Sequence, residues 1–448
     1  MPEEALEIAE RAVVAAGAGG AREAEATCTI SRRFSTRARR TEIDQLEQST
    51  GRGLTMRIFV GERGTLRRAT LSTSDLTPDG IERFAQRTVE AARRVAPDPL
   101  AGIPEQSGAH GALDLGIDSA DVAARTNEAK IEDALALERL TRECDARIDN
   151  SNGSYVADNA GTLGFANSSG VRAQYRYTSA SRTASPVARD GDAKRTATYG
   201  TAARSWSGCE GNDVVAKRAA QRALALFGAK PIPTQKMAVV FERDVAALVL
   251  GDVFAAVNAA NVSIENSYLA DRLGERIGSE LVTIVDDGRF HGGLGSAPFD
   301  GEGVATQRTI VCERGVLRSH LYDTYYARKL GTRSTGNASG GGVGPTNFFL
   351  EPGEGSLDQL IARTRRGILI LSIIGFATES ATGDYSRGAS GVLIEDGALT
   401  SAVDGVTISG NFLREMLPGI DAVAGDLRFD GQIVSPSFRI AEMTVSGE

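Results

Sequence analysis

The 448-residue chain has only three histidines, which leaves little material for a metal centre built on imidazole. A zincin needs HExxH on a helix, where two imidazoles one turn apart hold the metal and the glutamate between them activates water. His110, His291 and His320 are widely separated and none is followed by glutamate. A metal site using two of them would have to be assembled from distant segments, and surface or core placement is the plain alternative. The four cysteines (Cys28, Cys144, Cys209, Cys312) form no CxxC, which argues against a zinc knuckle or a disulfide framework. No GK dipeptide exists for a P-loop, no GxSxG for a nucleophile elbow, and no lysine has serine three positions before it. Only six residues are lysine, so basic charge is almost all arginine, and the formal net charge is −8. Nucleic-acid-binding domains usually show the opposite balance. The longest apolar run, Gly367 to Ala377, falls well short of the roughly 20 residues of a membrane span. The N-terminus, MPEEALEIAERAV, lacks the basic start and continuous apolar core of a signal peptide. Cytoplasmic placement is the expectation.

What is present suits a globular chain: 41% of residues are apolar and 24% charged, enough to bury a sizeable core. Apolar residues at helical spacing predict a helix over 3–17. Strand patterns fill 25–72, with Gly51, Gly53, Gly61 and Gly64 as turns or bulges. Helices are predicted over 78–95, where Pro78 suits a first turn, and over 119–147. Residues 150–206 read as three or four antiparallel strands separated by Asn152-Gly153, Ser168-Ser169-Gly170 and Asp190-Gly191. A helix over 213–228 ends at Pro231 and Pro233. The expected division is therefore a mixed α/β N-terminal domain, 1–230, and a β-rich C-terminal domain, 231–448, in an α+β chain. In the second part a strand over 236–242 leads into a strongly apolar helix over 244–260. Short strands with Asp-Gly turns follow, interrupted by helices near 356–366 and 409–416.

Candidate chemistry read from the residues alone is sparse. GGGVG at 340–344 could cradle an anion through backbone N–H groups, but no lysine or helix start follows, and a tight turn is the competing reading. Asp286-Asp287 before Gly288 reads as a turn. Asp300, Glu302 and Asp384 could pair in a glycosidase-like site, although nothing in the sequence sets their separation.

The C-terminal half carries a more specific signal. It reads YDTYYARKLGTRSTGNA (322–338), PTNFFLEPGEGSLDQLI (345–361), RGILILSIIGFATESATGDYSRGASGVLIEDGAL (366–399), TISGNFLREMLPGIDAVAGDLRF (407–429) and PSFRIAEMTVSGE (436–448). These linked motifs closely resemble the TldD/PmbA family, also labelled modulators of DNA gyrase, and within it the PmbA, or TldE, branch. A weaker match continues upstream through TGRGLTMRIFVGERG (50–64) and DPLAGIP (98–104), so nearly the whole chain is covered.

The resemblance implies a heterodimer. A TldD-type subunit would carry zinc on an HExxxH helix plus a C-terminal cysteine, and the TldE-type chain would complete a peptidase for unfolded peptides. Leader peptides of ribosomally made peptide natural products are among the implied substrates. In this sequence the corresponding helix holds Val245, Ala246, Ala247, Leu248, Val249 and Leu250, none able to ligate zinc, and no cysteine follows Cys312. The expectation is a chain with no cofactor and no catalytic residue of its own, with zinc in its partner and no nucleic-acid or membrane partner. Ser334, Thr335 and Asn337, together with Thr382, Asp384, Tyr385 and Ser386, are the polar parts of the family-like motifs. They are candidates to line a shared cavity or touch substrate, the alternative being turns held by side-chain-to-backbone hydrogen bonds. A regulatory protein that binds gyrase or its inhibitors, without peptidase activity, is the competing function.

Overall fold

The computed structural model describes residues 2–105, 113–375 and 378–447, so His110 lies outside the described residues. Helices and strands mix along the whole chain, as an α+β fold requires. The first half is built on one seven-stranded antiparallel sheet. Its strands are β1 (Glu23–Arg39), β2 (Glu42–Val60), β3 (Arg67–Thr73), β4 (Ile148–Asn167), β5 (Arg172–Asp190), β6 (Ala193–Thr196) and β7 (Tyr199–Ala203). The spatial order is β3-β2-β1-β4-β5-β6, with β7 also on β5.

Strand side chains alternate between faces, and here the alternation separates two chemistries. One face carries Ala24, Ala26 and Cys28 of β1 with Leu54, Met56 and Ile58 of β2, buried under helices Pro2–Ala18 and Pro78–Arg93. Further along, Ala38, Val156 and Ala180 meet helix Asn127–Glu143, and Ala184 meets helix Asn212–Leu224. Lys130 and Asp158 are ion-paired under this layer, and Phe34 lies 4.8 Å from the ammonium. The opposite face carries none of these four helices.

Local signals explain most element ends. Thr77 caps helix Pro78–Arg93 by accepting from the Gly80 N–H, and Pro78 occupies the first turn. The helix expected over 119–147 is instead two, Ala120–Ala124 and Asn127–Glu143, because Thr126 caps the second and interrupts the first. Asn152-Gly153 does not turn the chain. It is a bulge inside β4, where the pairing register with β5 shifts and Gly153 takes φ +117°. A side chain there would collide with Arg37, its Cβ lying 2.6 Å from Cγ and Cδ of that arginine. Gly51 and Gly53 likewise lie inside β2, whereas Ser168-Ser169-Gly170 and Asp190-Gly191 do link strands.

The second half contains β8 (Gln235–Phe241), β9 (Ile284–Asp287), β10 (Arg308–Glu313), β11 (Val316–Leu317), β12 (Ala338–Ser339), β13 (Gly342–Val343) and β14 (Phe348–Leu350). They are followed by β15 (Arg366–Ile374), β16 (Asp384–Glu395), β17 (Ala398–Asn411), β18 (Ile420–Val423), β19 (Ile433–Val434) and β20 (Phe438–Ser446). Strands pair in the order β17-β16-β15-β8-β20-β18, and β17 also pairs β20, so five of them close into a ring. Phe241, Ile368, Ile370, Ile408 and Ile440 fill one core with helix Arg243–Val257. A second sheet, β11-β10-β9-β14-β19, contributes Ile284, Val311 and Phe348 to the same core.

A polar junction centred on Tyr199 joins the halves. Its hydroxyl donates to Glu210 (2.6 Å) and accepts from Arg218 (2.9 Å), Arg243 (2.5 Å) and Arg428 (3.0 Å). Arg222 adds ion pairs to Glu242 and Asp244 at the start of helix Arg243–Val257.

Candidate functional site

A cavity of about 700 Å³ lies where the second half meets the uncovered face of the N-terminal sheet. Strand register builds its floor. Thr27 on β1 pairs Phe165 on β4, which pairs Ala173 on β5; two residues along, Thr29 pairs Leu163, which pairs Tyr175. The following rows are Ser31, Gly161 and Tyr177, then Arg33, Asn159 and Ser179. Tyr177 lies over Gly161, where an added Cβ would sit 2.5 Å from the ring. Tyr175 packs edge-on against Phe299 of the second half, with centroids 5.2 Å apart. Burial pushes the Tyr175 phenol up to about 12, so it stays neutral near pH 7.

The opposite wall comes from loops held by two buried carboxylates. Asp300 accepts backbone N–H groups of Glu302 (2.9 Å), Val304 (3.0 Å) and Ala338 (2.9 Å). Burial, reinforced by nearby Glu302, raises its carboxyl to about 7. Asp286 accepts from Asn337 Nδ2 (2.7 Å), the Thr346 N–H (2.9 Å) and Thr346 Oγ1 (2.7 Å), and burial raises it to about 6. Asp286 is thus a strand residue, 1% exposed, and not the turn residue its sequence suggests. Arg204, which also lines the cavity, gives its donors to the carbonyls of Thr178, Gly293, Leu294 and Ser296. The charged groups of the cavity are therefore already bonded, and what faces the space is hydroxyl, amide and aromatic.

At one end of this face, Arg57 of β2 bridges Glu25 of β1 (2.9 Å) and Glu302 (2.8 Å). Burial pushes Glu25 up to about 8 against the pull of Arg57, and its Oε2 has no hydrogen-bond partner. Asp384 is not part of this set. It sits in an exposed turn with Thr382 (2.8 Å), Asn411 (2.7 Å) and Arg414 (3.2 Å), so Asp300, Glu302 and Asp384 form no common carboxylate site.

Of the residues singled out in the sequence, Asn337 lines the cavity. Ser334 and Thr335 are buried beside it and bond the Tyr322 backbone, while Thr335 Oγ1 donates to Asn337 Oδ1 (2.7 Å). Thr382, Tyr385 and Ser386 do not line it; Tyr385 is buried edge-on against Phe412. The GGGVG segment is a hairpin between β12 and β13, turning at Gly340 and Gly341 with φ +57° and +88°. No helix follows it, so it forms rim and not an anion cradle. Residues the sequence reading passed over are Thr29, Asn159, Tyr175, Tyr177 and Ser179. The i, i+2 spacing of the tyrosines and serines along β5 is the available signal, but it shows a shared face and not which face stays bare.

Zinc does not fit the helix where the family motif would fall. Val245, Ala246, Val249 and Leu250 of Arg243–Val257 are buried in the core and offer no lone pair, and Leu248 is exposed but aliphatic. His320 is buried, its Nε2 within 3.0 Å of the Leu269 carbonyl, and burial lowers its pKa. Among the described residues no group of three or more His, Cys, Asp or Glu could hold a metal ion. Among them, too, no helix is long and apolar enough to cross a membrane.

Three family models, described as PmbA/TldA metallopeptidase domain 1, central domain and C-terminal domain, match residues 24–92, 121–227 and 234–447. The chain is 30% identical over 446 residues to "Metalloprotease PmbA" of Escherichia coli O157:H7, covering 99% of this chain and 96% of that one. It is 29% identical to a "Metalloprotease PmbA homolog" of Haemophilus influenzae, with 95% and 92% covered. It therefore belongs to the PmbA/TldD metallopeptidase family. A crystal structure from Bacteroides thetaiotaomicron, labelled a candidate modulator of DNA gyrase, superposes with TM-score 0.91 at 27% identity, covering 99% and 98% of the two chains. TldE from Thermococcus kodakarensis shares the fold, with TM-score 0.87 at 22% identity and 98% and 100% covered.

Proposed function

We propose that this chain is the metal-free subunit of a two-chain zinc metallopeptidase that degrades or trims unfolded peptides in the cytoplasm, including leaders of ribosomally made peptide natural products. The observation that carries the reading is helix Arg243–Val257: its residues 245–250 are aliphatic where the family's metal helix needs imidazole and carboxylate. The TldD-type partner would hold the zinc, whose chemistry is to activate water for attack on a peptide carbonyl. This chain would hold and orient substrate and wall the site against folded proteins. A cavity floored by Thr29, Asn159 and Ser179 suits an extended chain bound through its main-chain amides.

The test is affinity capture of the full-length chain from its native cells, with mass spectrometry of what comes with it. A near-stoichiometric chain bearing HExxxH, and zinc-dependent peptidase activity in the pair only, is the expected result. An isolated chain that binds stoichiometric zinc and cleaves peptides, losing activity on chelation, would overturn the reading. The gyrase label of the Bacteroides relative motivates the second reading, a regulatory protein contact. Salt-resistant capture of gyrase in the same experiment would favour it.

A further inference from the structure

We infer that the part of the N-terminal sheet's second face left open beside Phe299 is a binding trough for an extended polypeptide of about seven residues, selective for uncharged residues at its inner end. The inference rests on the peptide-processing reading and places a substrate subsite on this chain. The 700 Å³ cavity does not end at its own rim. A second hollow of about 390 Å³ shares Asn159, Ser179 and Ser181 with it, so the two are continuous along β4 and β5. Phe299 covers the Phe165 row, and from the Leu163 row to the Ala157 row is seven residues of β4, six rises or roughly 20 Å at ~3.3 Å each. A bound chain in the same extended form would match it residue for residue.

The inner part offers hydroxyls, amides and rings, and its charged side chains are already bonded to backbone: the donors of Arg204 meet carbonyls and Asp300 meets three amides. A ligand carboxylate or ammonium there would lose its water and could pair with these side chains only by displacing their backbone partners, which costs several-fold to many-fold in affinity. A neutral polypeptide instead finds partners for repeated amide N–H and C=O groups, with Tyr175 and Tyr177 as flat walls. Free charge begins only in the outer hollow, at Arg33 and Glu47. Arg33 pairs Ser49 and Ser35 pairs Glu47 across β1 and β2, so the two charges are diagonal neighbours on this face. Neither side chain has an ion pair or hydrogen bond among the described residues. A charged residue of the ligand can be met there and not further in.

The test uses fluorescence anisotropy of the full-length chain with end-labelled, acetylated and amidated heptapeptides of Ser, Thr, Gln and Leu. Glu or Lys is placed at the centre or at either end of otherwise identical peptides. A central charge should weaken binding about tenfold. A terminal charge should be tolerated at one end and cost a similar factor at the other. Thr29→Trp and Ser179→Trp, each filling the floor, should lower affinity for the neutral peptide about tenfold. Their melting temperatures would be checked alongside. Arg33→Glu should shift the tolerated end from Glu toward Lys. Equal binding of neutral and centrally charged peptides by the unmodified chain overturns the inference, as does unchanged binding in both folded tryptophan variants. The two readings fail separately. If a captured pair hydrolyses peptides while this chain binds none, the trough is wrong and the subunit role stands. If this chain binds neutral peptides selectively but no metal-bearing partner exists, the trough stands and the subunit role falls.

Discussion

The two large sheets of this protein solve the same problem in opposite ways. The C-terminal ring closes β17 on β20 and buries both faces of β8 and β15, which read as nearly unbroken apolar runs, KMAVVF and ILILSII. Val239 and Phe241 point into the main core, while Val240 meets Leu360, Leu369 and Ile394 on the other side. The N-terminal sheet stays unclosed and packs its four helices on one face; on the other, Phe299 covers the Phe165 row and the rest presents Thr29, Asn159 and Ser179 beside Leu163, Tyr175 and Tyr177. A closed sheet gains burial on both sides and has no surface to spare. An open one gives up half its burial and keeps a broad polar face available for a ligand. Stability should therefore be concentrated in the ring and the junction, and binding in the open face.

Substitutions can break that contrast, and the largest effect belongs in the ring. Phe241 is fully buried against Phe438, with centroids 5.2 Å apart. Phe241→Ala should cost about 3–5 kcal/mol, read as a lowered denaturant midpoint. Next comes the seam between halves: Arg57→Ala leaves Glu25 and Glu302 facing each other without their shared cation. The expected cost near pH 7 is about 2–3 kcal/mol, below the usual range for an orphaned buried charge because Glu25 already holds a proton there and only Glu302 loses its counter-ion.

Glu25 also gives a pH dependence whose sign is set by its raised pKa. The folded chain holds the Glu25 proton to about pH 8, while the unfolded chain releases it near 4.5. This group therefore lowers stability progressively as pH rises from 4.5 to 8, and its cost is level above that. Glu25→Gln should match the unmodified chain in thermal stability at pH 5 and exceed it by a few degrees at pH 9. A difference independent of pH would show that Glu25 is ionised throughout. The smallest effect belongs to the open face: Ser179→Ala should change stability by no more than about 0.5 kcal/mol in the same denaturation assay. A loss as large as that of Phe241→Ala would end the distinction between the sheets.

Much of the local structure was legible because its causes are local. Pro78 lies in a helix's first turn as expected, though Thr77 and not the Ser74-Asp75 pair caps it; the helix expected near 356 starts after Ser356, and Asp396-Gly397 turns β16 into β17 with φ +48° and +81°. Of the cavity, Asn337, Asp300 and the glycines of the 340–344 turn were singled out in the sequence, Asp300 for a carboxylate pair it does not form with Asp384. Asn152-Gly153 has the composition of a hairpin turn, yet β4 continues through it because β5 pairs residues on both sides, Ile148 to Ser151 before it and Gly153 onward after it. Asp286-Asp287-Gly288 has the composition of a surface turn, yet Asn337 and Thr346, 51 and 60 residues away in sequence, bury Asp286 as an acceptor.

The sequence by itself determined the class of the chain, the approximate places of most helices, the apolar strands of the ring and the family. It also determined the absence of zinc ligands on helix Arg243–Val257, since side-chain chemistry does not depend on folding. Only the tertiary structure decided that the ring closes, that Glu25 meets Glu302 across Arg57, and that Thr29, Asn159 and Ser179 share one trough. Periodicity tells which residues of a strand lie on the same side. Which side is left bare, and what stands opposite, depends on pairings between segments more than 100 residues apart, such as β1 with β4.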